Sequence, residues 1–182
     1  MNISIRRSAI SDLDLLLKFE KKAFPRYQQS SKRVLGLSLT SNFQQVWIAE
    51  LEENGKPHTV GSLVLYIYKR TVRIFSIVVD PEYQSKGVGK KLLEHAEIIA
   101  KQIAAERLSL EASVDNKKLI AWYNKFGFES TELMQNYYEE GKDGLRMVKE
   151  LPVPEFKNRL SNIIVVDDPE EWELNIDNVE VV

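Results

Sequence analysis

The chain has 182 residues, of which 43% are hydrophobic and 29% are charged, and its formal net charge is -2. These ordinary globular values exclude a disordered, a collagen-like or a membrane-embedded polypeptide. Because the chain has no cysteine, disulfides, thiolate zinc sites and cysteine nucleophiles are excluded as well. The length suffices for one well-buried domain with about thirty residues to spare.

The sequence also limits location and partners. No apolar run approaches the roughly 18 residues of a membrane span, and the N-terminus lacks the features of a signal peptide, so we expect a cytoplasmic protein without membrane contact. Residues 152–182 contain eight acidic and two basic side chains, a net charge of -6, which leaves +4 for residues 1–151. A mildly basic body suits an anionic cofactor, but no arginine-rich stripe indicates a nucleic-acid partner.

Hydrophobic periodicity predicts a strand and two helices at the start of the chain. Ile3 and Ile5 alternate with polar residues, as in a strand. Ser11 is placed to cap the helix that follows, and Pro25 lies just beyond the end of its apolar pattern. A second short helix is predicted around residues 31–39.

Three strands are predicted next. Residues 46–51 and 60–68 form apolar runs separated by a turn with the sequence ENGKP, which indicates a hairpin. The β-branched run of residues 71–80 predicts the third strand, and Pro81 ends it.

The second half of the chain begins with its most regular helix. From Val88 to Ile103 apolar residues recur every three or four positions, with lysine and glutamate between them. A strand at residues 107–112 and a helix at about residues 116–126 follow, and Gly127 stands in the position favoured after a helix.

Two late strands complete the predicted fold. They lie near residues 127–133 and 145–151 and are joined by a polar loop. The order β-α-α-β-β-β-α-β-α-β-β indicates an α+β fold around a mixed, mostly antiparallel sheet flanked by helices. We expect this domain to cover residues 1–151 and an acidic extension to cover residues 152–182, beginning with a proline-rich linker.

A glycine-bearing segment, QSKGVG at residues 84–89, connects a predicted strand to the long helix. Its glycines allow a ligand to approach the backbone, and the helix start offers unpaired N–H groups and the positive end of the helix dipole. Lys86, Lys90 and Lys91 add positive charge, so we predict a pyrophosphate site. The alternative is a plain strand-turn-helix connection. The segment has neither the G-K-[ST] of a P-loop nor the third glycine of a dinucleotide-binding motif.

The histidines do not indicate a metal or a hydrolase site. His58 and His95 are the only two, and neither has a partner at metal-binding spacing, so we expect no metal. Either could in principle serve a Ser-His-Asp triad, but no G-x-S-x-G motif is present.

After a V-V-D-P strand end, the pattern Q-x-x-G-x-G resembles motif A of the GNAT acetyltransferases. The resemblance implies that this loop binds the pyrophosphate of acetyl-CoA and that the preceding strand pairs with the pantetheine arm. The cofactor-binding residues that it implies are Ile77, Val78, Val79, Gln84, Ser85, Lys86, Gly87, Val88, Gly89, Lys90, Asn116 and Tyr123.

The segment from Leu110 to Phe128 is similar to the L-E-x-x-x-x-N…Y-x-x-x-G-F pattern of the RimI-like protein N-acetyltransferases. This similarity implies that Glu111 is the general base and Tyr123 the general acid. Tyr137 and Tyr138, in an N-Y-Y sequence, match residues that line the acceptor side in the same subgroup.

The resemblance implies an acetyl-CoA-dependent N-acetyltransferase that acts on a primary amine, favouring the N-terminus of a peptide or protein. Amine acetylation needs a base, a donor to the developing oxyanion and an acid for the leaving thiolate. A backbone N–H near Ile77 or Val78 would be the donor to the oxyanion. Two alternatives stay open: an acceptor that is a small-molecule amine or a lysine side chain, and a non-catalytic module that binds acetyl-CoA.

The stretch beyond about residue 160 is similar to the start of RimK-like ATP-grasp proteins. That similarity implies a truncated second domain. The alternative is a C-terminal strand or a docking arm that makes a homodimer.

Overall fold

A computed structural model describes residues 2–53 and 55–152, so the predicted acidic extension lies, apart from Pro152, outside the described residues. The α-helices are α1 (Leu13–Ala23), α2 (Lys32–Thr40), α3 (Val88–Gln102) and α4 (Lys117–Lys125). The strands are β1 (Ile3–Arg7), β2 (Gln44–Glu53), β3 (Lys56–Ile67), β4 (Thr71–Val79), β5 (Arg107–Ser113), β6 (Glu129–Glu139) and β7 (Lys142–Glu150). The predicted order of helices and strands is confirmed. No helix in this part of the chain combines the length and the apolar character needed to cross a membrane.

The seven strands form one sheet in the order β1-β2-β3-β4-β5-β7-β6. Within the described residues, β4 and β5 are the one parallel pair, and the other neighbouring strands are antiparallel. A parallel pair needs a crossover connection, which α3 provides. The structure therefore confirms the predicted α+β fold with a mixed, mostly antiparallel sheet.

Two apolar cores lie on opposite faces of the sheet. The larger core packs the sheet against α3 and α4, and the periodic face of α3 contributes Val88, Leu92, Ala96 and Ile99, as predicted. The smaller core packs the other face against α1 and α2, and its buried members are Leu16, Leu35, Val46, Ile48 and Val64.

Strand β4 contains one extra residue, and its pairing with β5 ends at the same place. In the neighbouring strand β3, Leu65 pairs with Ile74 and Val64 pairs with Ser76, so Phe75 forms a bulge. On the other side of β4, the last pair with β5 is Ile74 and Leu110. A bulge bends a strand and increases its twist. Strands β4 and β5 therefore diverge beyond this point and leave a cleft between residues 75–79 and 111–113.

The start of α1 differs from the prediction. Residues 10–12 form a short 3-10 turn, so Ser11 lies inside the turn and does not cap the helix. Asp12 makes the polar contacts at this end, because its carboxylate accepts a hydrogen bond of 2.7 Å from the Ala9 backbone and pairs with Arg6 at 2.8 Å. The Asp12 side chain therefore stabilises the start of the 3-10 turn and makes no cap hydrogen bond to α1.

The connection between the last two strands also differs from the prediction. Strand β6 continues to Glu139, and a tight turn at Glu140 and Gly141 joins it to β7 in place of the predicted polar loop. Asn136 has φ +53°, and its side chain accepts a hydrogen bond of 2.7 Å from the Gly141 backbone. Polar residues that suggested a loop therefore form an irregular strand, which contains Tyr137 and Tyr138.

Gly61 lies where β3, β4 and α3 meet, and its replacement tests this packing. A Cβ atom there would stand 2.6 Å from the Val78 carbonyl oxygen, so we expect Gly61→Ala to lower the free energy of unfolding by about 2 kcal/mol. Urea denaturation measures the change. Gly36→Ala is the matched control: it adds a methyl group to α2 with no atom within 4 Å and should raise the free energy by about 0.5 to 1 kcal/mol. Equal effects of the two variants would contradict the packing at Gly61.

Candidate active site

The predicted pyrophosphate loop leads from a 3-10 turn into α3. Gly87 is the residue immediately before the helix and has φ +86°, in the left-handed region that favours glycine. In the described part of the chain, the backbone N–H groups of residues 85–90 donate to no protein acceptor. Consecutive unpaired N–H groups at a helix N-terminus form a site for an anion.

The two glycines of this loop have different roles. A side chain at Gly87 would meet no atom within 4 Å, so the backbone angle alone requires glycine there. At Gly89, in the first turn of α3, an added Cβ would lie 3.6 Å from both Trp122 and Val79, which is ordinary contact. The backbone angle therefore accounts for the first glycine, whereas the space around the second would accept a Cβ atom.

Three lysines surround the loop. Lys86 lies over the ring of Tyr83, 4.6 Å from its centroid, while Lys90 and Lys91 both pair with Glu94, at 3.7 and 3.4 Å. More than half of the Lys90 and Lys91 side-chain surface is exposed. Ion pairs between exposed groups contribute little, so both lysines can turn toward a bound anion.

Asp80 anchors the loop to the rest of the fold, a role that the sequence analysis missed. Its backbone N–H donates to Val60, and its carboxylate accepts hydrogen bonds from Lys22 at 2.7 Å and from the Glu82 backbone at 3.3 Å. The hydrogen bond from Lys22 lowers the pKa of Asp80 below its ordinary value. In the sequence, the position of Asp80 directly before a proline at the end of a strand was the feature that could have indicated this role.

Residues 77–79, predicted to pair with the pantetheine arm, form the end of β4 beyond the bulge. Strand β3 pairs with one edge of this segment, through Leu63, Ser62 and Gly61. Within the described residues, the edge facing β5 has no strand partner. An open strand edge can pair with an extended ligand through its backbone.

Glu111 is the first residue of β5 after the last pair with β4. Its neighbours Leu110 and Ala112 belong to the larger core, so alternation along the strand directs Glu111 to the opposite face. There its side chain is only 6% exposed. Oε2 accepts a hydrogen bond of 2.9 Å from Arg73 Nε, and Oε1 accepts one of 3.3 Å from Arg146 Nε. Two arginines therefore hold the candidate base.

Arg73 connects Glu111 to Tyr137, and the sequence analysis missed it. Its Nη2 donates to the Tyr137 hydroxyl at 2.6 Å. Burial lowers the pKa of Arg73, but Glu111, Tyr137 and Tyr68 together outweigh burial and leave the pKa above its ordinary value. A charged residue inside an apolar strand was the signal in the sequence.

Tyr123 lies on α4 and belongs to the larger core, where it is 3% exposed. Its ring contacts those of Trp122 and Phe128, with centroids 5.1 and 5.7 Å away. Its hydroxyl has no hydrogen-bond partner among residues 2–53 and 55–152. Burial, together with the nearby Tyr138, raises the pKa of Tyr123 above its ordinary value. The phenol therefore keeps its proton at neutral pH and can act as a proton donor.

Glu111 and Tyr123 come from opposite faces of the sheet, and Tyr138 interacts electrostatically with both. Burial raises the pKa of Tyr123, and Tyr138 adds to the rise. Burial chiefly raises the pKa of Tyr138 itself, with further contributions from Tyr137 and Glu111.

Asn116 has a visible structural role. It is the N-cap of α4, and its Oδ1 accepts a hydrogen bond of 3.1 Å from the Leu119 backbone. The cap uses only the carbonyl oxygen of the side chain, so Nδ2 is the group that could contact a cofactor.

Tyr137 and Tyr138, the residues predicted to line the acceptor side, belong to a group of aromatic rings. Tyr137 and Tyr138 contact each other edge to face, with centroids 4.8 Å apart. Tyr27, from the connection between α1 and α2, lies 6.4 Å from Tyr138, and Lys142 lies over the Tyr27 ring at 5.9 Å. Tyr27 was not predicted, because nothing in the sequence places this connection against β6.

Gly87→Ala tests the pyrophosphate loop. An alanine at φ +86° costs about 1 to 2 kcal/mol or forces the loop to move, so we expect the Kd for coenzyme A to rise about tenfold in calorimetry. Gly141→Ala is the matched control, because Gly141 also has a positive φ, +73°, and lies in the β6-β7 turn. Equal Kd values for the wild type and Gly87→Ala would argue against this site.

Comparison with known proteins identifies the family. Residues 13–128 match the model of the acetyltransferase (GNAT) family. The [ribosomal protein bS18]-alanine N-acetyltransferase of Escherichia coli K12 is 34% identical over 89 residues, which cover 49% of this chain and 59% of that protein. An N-alpha-acetyltransferase of Sulfolobus acidocaldarius is 27% identical over 168 residues, covering 83% of this chain and 94% of the relative.

Solved structures agree in fold. The crystal structure of the ribosomal-protein-S18-alanine N-acetyltransferase from Escherichia coli aligns with a TM-score of 0.73 at 23% identity, covering 87% of this chain and all of that one. Arabidopsis thaliana NAA60, solved with a bisubstrate analogue, aligns with a TM-score of 0.74 at 16% identity, covering 84% of this chain and all of that one. With a family match over most of the described chain and this shared fold, the chain belongs to the GNAT family of acetyltransferases.

Proposed function

We propose that the chain transfers the acetyl group of acetyl-CoA to the N-terminal amine of a peptide or protein, and that residues 1–151 are its catalytic domain. The observation that carries the proposal is the position of Glu111, which is nearly buried and is the first residue of β5 after its pairing with β4 ends. The Escherichia coli relative, a [ribosomal protein bS18]-alanine N-acetyltransferase, and the Sulfolobus relative, an N-alpha-acetyltransferase, support it.

The donor side of the cleft fits coenzyme A. The N–H groups of residues 85–90 and the lysines beside them would hold the pyrophosphate, and the open edge of residues 77–79 would hold the pantetheine arm. Bound there, acetyl-CoA supplies an activated acetyl thioester.

Two side chains move protons in the proposed reaction. The acceptor arrives as an ammonium ion, and Glu111 takes one proton from it, directly or through water, so an N–H bond breaks and an O–H bond forms. The neutral amine then forms a C–N bond to the acetyl carbon while the C–S bond breaks, and Tyr123, whose raised pKa keeps it protonated, donates its proton to the leaving sulfur. The second proton lost by nitrogen restores the phenol through solvent, and Glu111 releases its proton to solvent. The chain itself forms no covalent bond to the acetyl group.

The acceptor side favours a peptide over a compact amine. Tyr27, Tyr137 and Tyr138 come from two separate segments, and their rings form a wall beside Glu111. Aromatic rings that carry hydroxyl groups can contact both apolar side chains and backbone groups of a ligand. One observation favours the non-catalytic module instead, since both oxygens of Glu111 already accept hydrogen bonds from arginines.

A thiol-release assay with acetyl-CoA separates these functions. Three acceptors are compared: a peptide with a free N-terminus and no lysine, an N-terminally acetylated peptide with one lysine, and a small primary amine. We expect release with the first. Release only with the second or third would replace the proposed acceptor, and calorimetric binding of coenzyme A without release from any acceptor would establish the non-catalytic module.

Tyr123→Phe tests the proton donor. We expect kcat to fall about a hundredfold while the Kd for coenzyme A stays unchanged, because only the hydroxyl is lost. The raised pKa keeps the phenol protonated as pH rises, so the loss should be equal from about pH 6 to about pH 9. Tyr66→Phe, the same change at a tyrosine packed against the smaller core, should leave kcat unchanged. A Tyr123→Phe enzyme with wild-type kcat would eliminate Tyr123 as the acid.

A further inference from the structure

The two arginines that hold Glu111 are not equivalent. Arg73 Nε lies 2.9 Å from Oε2, whereas the shortest approach of Arg146 to the carboxylate is 3.3 Å, from Nε to Oε1. Hydrogen bonds between charged groups are strongest at about 2.7 to 2.9 Å. Oε2 is therefore held firmly and Oε1 loosely.

Arg73 is fixed on two sides. Besides Glu111, its guanidinium donates to the hydroxyl group of Tyr137. Tyr137 is itself confined, because its ring packs against Gly144, where an added Cβ would stand only 2.8 Å from the ring. Arg73 cannot leave Glu111 without breaking these contacts as well, so the direction of the carboxylate is set by β4.

The guanidinium of Arg146 also pairs with a second carboxylate, that of Glu132, which lies closer to it than Glu111 does. In the sheet it stands directly opposite Glu111 of β5 and directly opposite Glu132 of β6, so the three side chains form a cross-strand row. Nη1 of Arg146 is 2.7 Å from Glu132, closer than any approach to Glu111. Glu132 is half exposed, so Arg146 can keep this partner when it gives up the other.

We propose that Arg73 is a positioning residue that aims Glu111, and that Arg146 is a displaceable partner whose place at Oε1 is taken by the acceptor ammonium. The inference depends on the proposed function, since it assumes that Glu111 receives an amine. Oε1 is then the oxygen that forms the O–H bond when the ammonium N–H bond breaks. Arg73 of β4, Arg146 of β7 and the tyrosines Tyr68, Tyr137 and Tyr138 are the charged and titratable groups around Glu111.

The exchange leaves the net charge beside the nearly buried Glu111 unchanged. One cation replaces another beside Glu111, and Arg146 stays paired with Glu132, so no charge is left without a partner. A neutral ligand of the same shape would have to displace Arg146 without supplying a cation. The row of three side chains therefore favours ligands that arrive as ammonium ions.

Substitutions of Arg146, in the middle of the row, and of Glu132, at its outer end, should change acceptor KM in opposite directions. Arg146→Met removes the competitor, so we expect acceptor KM to fall about two- to fivefold with kcat within about twofold of the wild type. Glu132→Gln removes the second anchor of Arg146, which then holds Glu111 more strongly, so acceptor KM should rise. Glu129→Gln, an exposed glutamate on the same strand, is the matched control and should leave KM unchanged.

Arg73 should affect kcat instead. We expect Arg73→Met to lower kcat at least about tenfold, because a misdirected carboxylate cannot take the proton. Arg73→Lys should restore part of this loss, since an ammonium keeps the charge but cannot reach both Glu111 and Tyr137. An unchanged Kd for coenzyme A in each variant shows that the fold is intact.

The kinetic measurements use whichever amine the wild type turns over fastest. Turnover only with a small amine would overturn the proposed acceptor, but the proposed roles of Arg73 and Arg146 could still be tested with that amine. No turnover with any amine would overturn both the proposed function and the proposed roles of the arginines. A rise in acceptor KM for Arg146→Met, or equal KM values for Glu132→Gln and Glu129→Gln, would overturn the displacement. A kcat loss in Arg146→Met as large as in Arg73→Met would overturn the division of roles.

Discussion

The architecture of the site depends on the end of backbone pairing between β4 and β5. Two parallel strands that remained paired would leave no room for a ligand between them. One extra residue in β4, Phe75, bends the strand at the position where the last pair, Ile74 and Leu110, is formed. The Phe75 ring stacks on Tyr66, with centroids 4.6 Å apart and planes 9° apart, so packing against the smaller core holds the bulge in place.

The bulge also determines which side chains face the cleft. Before it, Val72 and Ile74 point into the larger core, and after it Ile77 and Val79 do so, which is a shift of one residue in the alternation. The cleft opens the sheet between its two faces. Glu111 lies on the face of α1 and α2 and Tyr123 on the face of α3 and α4, so the proposed reaction would use one proton-transferring group from each face.

Regular elements could be predicted from the sequence because their patterns are local. The stripe of α3 follows from residues close together in the chain, and this prediction is confirmed. Glu111 and Tyr123 were identified by their resemblance to a family pattern, and their catalytic roles remain predictions. The bulge left no signal, because residues 71–79 are mainly β-branched and aromatic and contain no glycine or proline that would mark an irregularity.

Contacts set by strand register could not be predicted either. Arg73 and Arg146 are 38 and 35 residues from Glu111 in the chain, and a shift of one residue in either pairing would direct them to the other face. The polar residues before the β6-β7 turn were misread for a related reason. Asn136 and Asp143 make hydrogen bonds across the hairpin that only exist once β6 and β7 are paired.

The paired charges around Glu111 have a physical reason other than stability. Removing a carboxylate and a guanidinium from water costs several kcal/mol per ion, and well-packed apolar residues can often replace a buried ion pair without loss of stability. The sheet nevertheless keeps Glu111 and Arg73 largely out of solvent, beside apolar strands that could have excluded them. Arg73 fixes the direction of the Glu111 carboxylate, while its other oxygen is held loosely. Such a carboxylate can bind an incoming cation, whereas a pair of apolar side chains cannot. The arrangement is therefore better explained by recognition of an amine than by the folding of the sheet.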